Sequence, residues 1–155
     1  MPFMIHHILH SVDHKPHQPA ELRRITSRGG SLVWLHGNKP YLRGADFLMR
    51  QANGEHPKQL NYSRALGGKD LKPFGLLAEP DVNHFQLEAD DCLVLLGSDG
   101  LWDVLSPQEA CELAWGTHKA GQSSAAALVE HAVRRMPAAG VRDNVTALAL
   151  LLDPR

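Results

Sequence analysis

The sequence lacks the features that would mark a membrane-spanning, secreted or fibrous protein. No apolar stretch approaches the ~20 residues that a membrane-spanning helix needs, and the 155 residues include only two cysteines. Cys92 and Cys111 lie in apolar segments, so we expect small core side chains and neither a disulfide framework nor a metal site. Charged residues make up 21% of the chain and the net charge is −1. This composition is ordinary for a soluble globular protein. We expect a protein of the cytoplasm or nucleus, a monomer, and no membrane or nucleic-acid partner.

The two halves of the chain carry opposite charge. Residues 1–72 hold eleven Lys and Arg against five Asp and Glu, and residues 73–155 hold five against twelve. Carboxylates of the acidic half suit a divalent cation, whereas the basic half suits an anionic partner such as a phosphoprotein. Ordinary solvated surface charge explains the basic half equally well.

The chain is organised around residues 91–105, which read DCLVLLGSDGLWDVL. The apolar run Leu93–Leu96 is too short for an isolated helix, and it predicts a central strand buried on both faces. Asp99 follows this strand between two glycines that would let a ligand or another backbone approach closely. A capping box that begins at Ser106 predicts a helix of about ten residues, and we expect that helix to end near Gly116.

Elsewhere the pattern predicts two more helices, three more strands and one irregular segment. Residues 37–59 lose apolar periodicity and collect glycine, proline and basic residues, which indicates a surface excursion. The predicted helices are residues 17–28 and a helix capped by Ser123 or Ser124, and the predicted strands are Ser31–His36, covered on both faces, Val82–Leu87 and Ala147–Leu152.

Five short motifs occur in an order that is known from one protein family. Two lie in the acidic half: SDGLWD from Ser98, and RDNVT from Arg142, which runs into an apolar strand. Three precede them: DHKP from Asp13, RGG from Arg28 and SRALG from Ser63. In these motifs the chain resembles the metal-dependent protein serine/threonine phosphatases, the PP2C or PPM family.

The resemblance is to the carboxyl-terminal half of the family's catalytic domain. It implies an α+β fold, the carboxyl-terminal part of a four-layer α-β-β-α sandwich with antiparallel sheets. The partial phosphatase domain is expected at residues 11–153, after a non-matching extension at residues 1–10. The DGHGG motif of the family's amino-terminal half does not occur in this sequence, which suggests a truncated gene model. We therefore expect strands without neighbours and one uncovered sheet face.

The resemblance also assigns the chemistry. Asp99 and Asp143 match aspartates that bind Mg²⁺ or Mn²⁺ in the family, and these metals activate a water that attacks the phosphorus of phosphoserine or phosphothreonine without a covalent intermediate. If the strands beside these two residues are antiparallel neighbours, both carboxylates reach one edge of the sheet. Asp103, Asn144 and Gly100 would support these ligands, and Asp103 could instead bind a further, weakly held metal.

The resemblance places residues 37–59 at a flap beside the active site, which in the family helps to choose substrates. Lys39 and Arg43 belong to this segment and Arg64 to the SRALG motif, so these three are the candidate contacts to phosphorylated protein substrates.

Two other interpretations of the function are open. The chain could be a catalytically inactive fragment or pseudophosphatase that binds phosphoproteins without turnover. By itself it is expected to be inactive, because the groups of the DGHGG half are missing. A phosphatase of the haloacid dehalogenase type would also have a strand that ends in aspartate, but it needs a second aspartate where this chain has Leu101.

Overall fold

A computed structural model of the chain describes residues 11–137 and 143–152. These residues form two compact units, an amino-terminal unit, Ser11–Asn83, and a carboxyl-terminal unit within His84–Arg155. The predicted extension at residues 1–10 and the Arg142 of the RDNVT motif lie outside the described residues.

The amino-terminal unit contains a strand and a helix that the sequence pattern did not predict. Within residues 37–59, where we expected only a surface excursion, a strand pairs antiparallel with the preceding one, from Ser31 opposite Arg43 to Leu35 opposite Lys39. Most of this segment is exposed, as expected for a surface excursion. The pattern does not predict the strand, because a single fully buried side chain, Leu42, anchors it, and one anchor gives no periodic signal. The elements are α1 (Pro19–Ser27), β1 (Ser31–Leu35), β2 (Lys39–Arg43), α2 (Phe47–Ala52) and a 3₁₀ turn (Lys69–Leu71).

A small apolar core holds this unit together. It consists of Ile25, Leu42, Leu71 and Leu76, all buried. The strand β1 agrees with its predicted position, but Trp34 is half exposed. The expectation that this strand is covered on both faces is therefore wrong.

A buried carboxylate joins distant parts of the same unit. The side chain of Glu21 is only 2% exposed and accepts hydrogen bonds from the Arg24 guanidinium, the Arg64 guanidinium at 2.9 Å and the Ser63 hydroxyl at 2.5 Å. The Ser63 backbone N–H donates to the carbonyl oxygen of His14 at 2.9 Å. One acidic side chain on α1 therefore fixes the SRALG segment and, through it, the DHKP segment.

The hydrogen bonds to Glu21 outweigh the cost of its burial. Burial alone would raise the pKa of Glu21, but the bonds from Arg24, Arg64 and Ser63 hold that pKa well below its ordinary value of 4.5. Because folding lowers this pKa, the ionised carboxylate stabilises the unit above about pH 4.5, and the contribution is lost as the pH falls below that value.

The carboxyl-terminal unit is a two-stranded antiparallel sheet covered on one face by helices. Its elements are β3 (Leu93–Gly97), α3 (Asp99–Trp102), α4 (Pro107–Lys119), α5 (Ser124–Arg135) and β4 (Ala147–Leu151). The predicted caps are confirmed: Ser106 and Glu109 form a capping box, and the Ser123 hydroxyl accepts from the Ala126 N–H. The helix α4 is three residues longer than expected, because Gly116 keeps helical geometry and the chain turns only at Gly121, with φ +72°.

One face of the β3–β4 sheet is apolar and open to solvent. Leu96, Leu148 and Leu150 are 60%, 52% and 52% exposed, while Leu93, Leu95 and Ala147 pack on the other face against the helices. Burial of β3 on both faces is therefore contradicted, and an uncovered sheet face is confirmed for the described residues. The segment Val82–Leu87 forms no strand and is exposed, because no neighbouring strand in the described part of the chain pairs with it.

The fold class is confirmed as α+β with antiparallel sheets. No helix in the described ranges is long and apolar enough to cross a membrane.

The hydrogen bonds and ion pairs of Glu21 predict that a substitution of nearly the same shape at this position lowers the stability of the unit strongly. The substitution Glu21→Gln removes the charge that Arg24 and Arg64 bind in a buried site, so it should lower the free energy of unfolding of this unit by about 3 kcal/mol at pH 7. The measurement is urea denaturation followed by the ¹⁹F signal of 5-fluorotryptophan at Trp34, which lies in this unit.

The matched control is Glu55→Gln, since Glu55 forms an exposed ion pair with Arg50. It should change the free energy of unfolding by less than about 1 kcal/mol. The difference between wild type and Glu21→Gln should shrink as the pH is lowered below 4.5. Equal losses for the two variants, or a difference that grows at acid pH, would contradict the role given to Glu21.

Candidate functional site

The antiparallel pairing of β3 with β4 places the carboxyl end of β3 beside the residues that precede β4. Gly97 stands opposite Ala147, and the ladder continues one step further, where the Ser98 N–H donates to the Thr146 carbonyl oxygen at 3.0 Å. The Ser98 side chain completes the link, since its oxygen accepts from the Thr146 N–H at 3.1 Å and its hydroxyl donates to the Asn144 carbonyl oxygen at 3.2 Å. Asp99 and Asp143 therefore lie at the same edge of the sheet.

Gly100 is the point at which the two chain segments touch. It is buried in the first turn of α3, and a Cβ added there would collide with the Asn144 carbonyl oxygen and lie 3.4 Å from the Cβ of Asp143. Any side chain at this position would push the Asp143 segment away. The expected close approach of another backbone to this turn is thus confirmed for Gly100.

Each of the two carboxylates is held by the backbone next to it. Oδ1 of Asp99 accepts from the Gly100 N–H at 3.0 Å, and Oδ1 of Asp143 accepts from the Asn144 N–H at 2.8 Å. Both residues are exposed, and within the described ranges no basic side chain pairs with either. Each carboxylate is oriented and keeps an oxygen available to a ligand.

Asp103 is farther along the same turn. Its backbone N–H donates to the Asp99 carbonyl oxygen at 2.7 Å, and its side chain is exposed. In the same helical turn the Trp102 Nε1–H donates to the Gly97 carbonyl oxygen at 2.9 Å. These bonds tie the turn that bears Asp99 and Asp103 to the end of β3.

The carboxylates of Asp99 and Asp143 provide some, but not all, of the ligands that a divalent cation such as Mg²⁺ needs. Carboxylate oxygens are the ligands that Mg²⁺ prefers, and Mg²⁺ usually keeps several waters as well. In the described part of the chain, however, no group of three or more His, Cys, Asp or Glu side chains is placed to hold one ion. Asp99 and Asp143 therefore fit two positions of a ligand set that needs further groups or water.

The three basic candidates for substrate contact lie in the amino-terminal unit. Arg64 is 17% exposed and is bound to Glu21 and Asp81, and Arg43 stacks over the Phe47 ring at 4.2 Å. Lys39, at the β1–β2 hairpin, is exposed. Two of the three guanidinium and ammonium groups are thus engaged in holding the unit, and Lys39 is the accessible one.

Sequence reasoning missed Ser98 and Glu21. A serine directly after a strand can bond across to a neighbouring segment, and a glutamate three residues before an arginine on a helix is a known pairing distance. Those local signals were present. The partners of Glu21 at Ser63 and Arg64, about forty residues away, carry no local signal.

Comparison with known families and proteins gives one consistent result. Residues 6–145 match the profile of the family described as "Protein phosphatase 2C". "Probable protein phosphatase 2C 41" of Arabidopsis thaliana is 36% identical over 147 residues, which cover 93% of this chain and 40% of that protein. "Protein phosphatase 2C 50" of Oryza sativa subsp. japonica is 30% identical, with 94% of this chain and 38% of that protein covered.

Solved structures give the same answer. The serine-threonine phosphatase 2C from Toxoplasma gondii superposes with a TM-score of 0.84 at 43% identity, over 92% of this chain and 46% of that one. A sex determining protein of C. elegans superposes with a TM-score of 0.70 at 26% identity, over 93% of this chain and 32% of that one. The chain spans less than half the length of each of these relatives.

The contact at Gly100 predicts a difference between two glycine substitutions. Gly100→Ala places a methyl group against the Asn144 carbonyl, so it should lower the free energy of unfolding of the carboxyl-terminal unit by about 1–3 kcal/mol. Gly116→Ala is the matched control, because that helical glycine has no neighbouring atom within 4 Å of an added Cβ, and it should stabilise the unit by up to about 1 kcal/mol.

The measurement is urea denaturation of both variants, with ¹⁵N NMR shifts of Asp99 and Asn144 as a local readout. Gly100→Ala should move both signals, and Gly116→Ala should leave them unchanged. A neutral Gly100→Ala with unmoved Asn144 would show that the two segments do not touch.

Proposed function

The chain belongs to the protein phosphatase 2C family, and on that premise we propose that it forms part of a metal-dependent protein serine/threonine phosphatase. The observation that carries the proposal is the contact of Gly100 with Asn144, which puts Asp99 and Asp143 at one sheet edge. The proposed partial domain is residues 11–153, and the matched profile covers most of it.

Asp99 and Asp143 are the proposed ligands for Mg²⁺ or Mn²⁺. When bound, such ions supply a metal-activated water for attack on the phosphorus of phosphoserine or phosphothreonine. The backbone N–H groups of Gly100 and Asn144 each occupy one carboxylate oxygen. These bonds fix the direction of the remaining oxygen of each carboxylate. A ligand oxygen with a fixed direction sets the position of the metal.

Asp103, Asn144 and Gly100 have supporting roles in this proposal. Gly100 permits the close approach of the two ligand segments, and Asn144 provides both the carbonyl that Ser98 binds and the N–H that Asp143 accepts. Asp103 adds negative charge to the same turn without a direct link to either ligand side chain. Its loss should therefore matter less than the loss of Asp99 or Asp143.

The proposed substrates are phosphorylated proteins, and Lys39 is the first candidate for a contact to them. It is exposed at the hairpin, and the basic charge of residues 1–72 would attract an acidic phosphoprotein surface. Arg43 and Arg64 stay candidates, although their guanidinium groups already bind Gln59, Glu21 and Asp81.

A second candidate function is a phosphoprotein-binding module without turnover. It is favoured by the lack of a group of three or more His, Cys, Asp or Glu side chains placed to hold one ion among residues 11–137 and 143–152. The two functions differ in whether Asp99 and Asp143 support catalysis when the missing groups are supplied.

The decisive experiment supplies those groups from a relative. In a chimera, residues 11–152 replace the matching part of the Toxoplasma gondii phosphatase, to which the chain is 43% identical. With a phosphoserine peptide and saturating Mn²⁺, Asp99→Ala and Asp143→Ala should each lower kcat/KM more than ~100-fold. Asp103→Ala should lower it about tenfold or less, since groups beyond the direct ligands only tune the metal.

The unmodified Toxoplasma protein is the positive control, and circular dichroism shows whether each chimera is folded. Equal losses for the three aspartate variants would remove the distinction between ligands and supporting residues. A folded chimera that binds the phosphopeptide but shows no turnover would favour the binding module instead.

A further inference from the structure

The carboxyl-terminal unit has a groove on its outer helical surface, apart from the Asp99–Asp143 edge. It has a volume of about 240 Å³ and lies between α4 and α5. Its apolar lining is Leu113, which is half-buried, and Leu105, which is only 2% exposed. Glu109 and Glu112 line the α4 side, and His131 and Arg135 line the α5 side. Neither the phosphatase chemistry nor the sheet face uses these side chains.

One of the two acidic groups that line the groove is held in an ion pair. Arg135 donates to Oε1 of Glu109 at 2.8 Å and to the Val104 carbonyl oxygen at 3.3 Å. The Ser106 N–H, the Arg135 guanidinium and the Ser106 hydroxyl together lower the pKa of Glu109 to about 2, so this carboxylate is ionised at neutral pH. Its charge is compensated by Arg135.

The other acidic group of the groove has no such compensation. Oε1 of Glu112 accepts one hydrogen bond from the Gln108 side-chain amide at 2.5 Å, and across the described ranges no Lys or Arg pairs with Glu112. Glu112 is exposed, and Leu113 beside it is half-buried. The lining of the groove thus combines apolar side chains with one uncompensated negative charge.

We propose that this groove binds a basic peptide segment of a partner protein, with the guanidinium of one Arg side chain on Glu112 and its aliphatic stem on Leu113. The guanidinium fork matches a carboxylate in two hydrogen bonds, and its aliphatic stem packs on apolar surface. The volume is below the roughly 300–1,000 Å³ of pockets for drug-sized ligands, so it suits one peptide side chain.

The charge of the surrounding unit favours the same partner. Residues 84–155 carry five Lys and Arg against ten Asp and Glu, a balance of −5. Such a surface attracts cationic segments and repels acidic ones over distances of about 10 Å at 0.1 M salt, and over longer distances at lower salt. A phosphorylated or acidic peptide is therefore the wrong occupant for this groove, and the proposed substrates of the phosphatase would not compete for it.

The test uses the full chain and two fluorescein-labelled peptides, GGLRLGG and GGLELGG, followed by fluorescence anisotropy at low salt. The arginine peptide should bind saturably below about 1 mM, and the glutamate peptide at least fivefold more weakly. Glu112→Gln should weaken the arginine peptide at least fivefold. The matched control is Glu130→Gln, an exposed α5 carboxylate that pairs with Arg134 outside the groove, and it should change binding less than twofold.

Each other result overturns the proposal. Absence of saturable binding up to 1 mM would mean that the groove takes no basic peptide. Equal binding by wild type and Glu112→Gln, or an equal loss in Glu130→Gln, would mean that the peptide responds to general negative charge and not to this groove. Circular dichroism of the variants checks that the exposed substitutions leave the helices intact.

Discussion

The close approach of Gly100 to the backbone of Asn144 is the constraint on which the site depends. The β3–β4 ladder brings the two segments near, and the Ser98 side chain continues it past the last strand pair. The remaining distance closes only because position 100 has no side chain. As a result two like charges, Asp99 and Asp143, lie at one edge of the sheet, where a divalent cation would neutralise them.

The amino-terminal unit also depends on the placement of a charge, the buried carboxylate of Glu21. Glu21 carries a full negative charge in a site that is almost closed to water, and it is tolerated because two guanidinium groups and a hydroxyl surround it. The same bonds hold α1, the SRALG segment and the DHKP segment in one arrangement. The motifs shared with the family therefore divide into two kinds: those around Asp99 and Asp143 carry the proposed metal ligands, and those around Ser63 and Arg64 hold the amino-terminal unit together.

Short sequence patterns predict the features of this fold that depend on residues close together in the chain. The caps at Ser106 and Ser123, the turn after β3 and the proximity of Gly100 to another backbone were read from residues within a few positions. The predictions are wrong where the burial of a strand depends on segments that are far away in the sequence. The sequence pattern gives no signal for β2, because Leu42 alone anchors it. Alternation predicts a strand at Val82–Leu87, although no described strand pairs with it. The open face with Leu96 shows the same limit, since four apolar residues in a row cannot reveal whether a second layer covers them.

The central claim is that Asp99 and Asp143 act together on one divalent ion, and Mn²⁺ itself can report on it. Mn²⁺ is paramagnetic, so titration of the ¹⁵N-labelled chain with substoichiometric Mn²⁺ should broaden first the amide signals of Asp99, Gly100, Asp143 and Asn144. The substitution Asp99→Asn should abolish the broadening at Asp143 and Asn144 as well as at its own turn, because one carboxylate alone holds Mn²⁺ poorly. Broadening at Asp143 that persists unchanged in Asp99→Asn, or broadening spread evenly over all exposed carboxylates, would contradict a shared site.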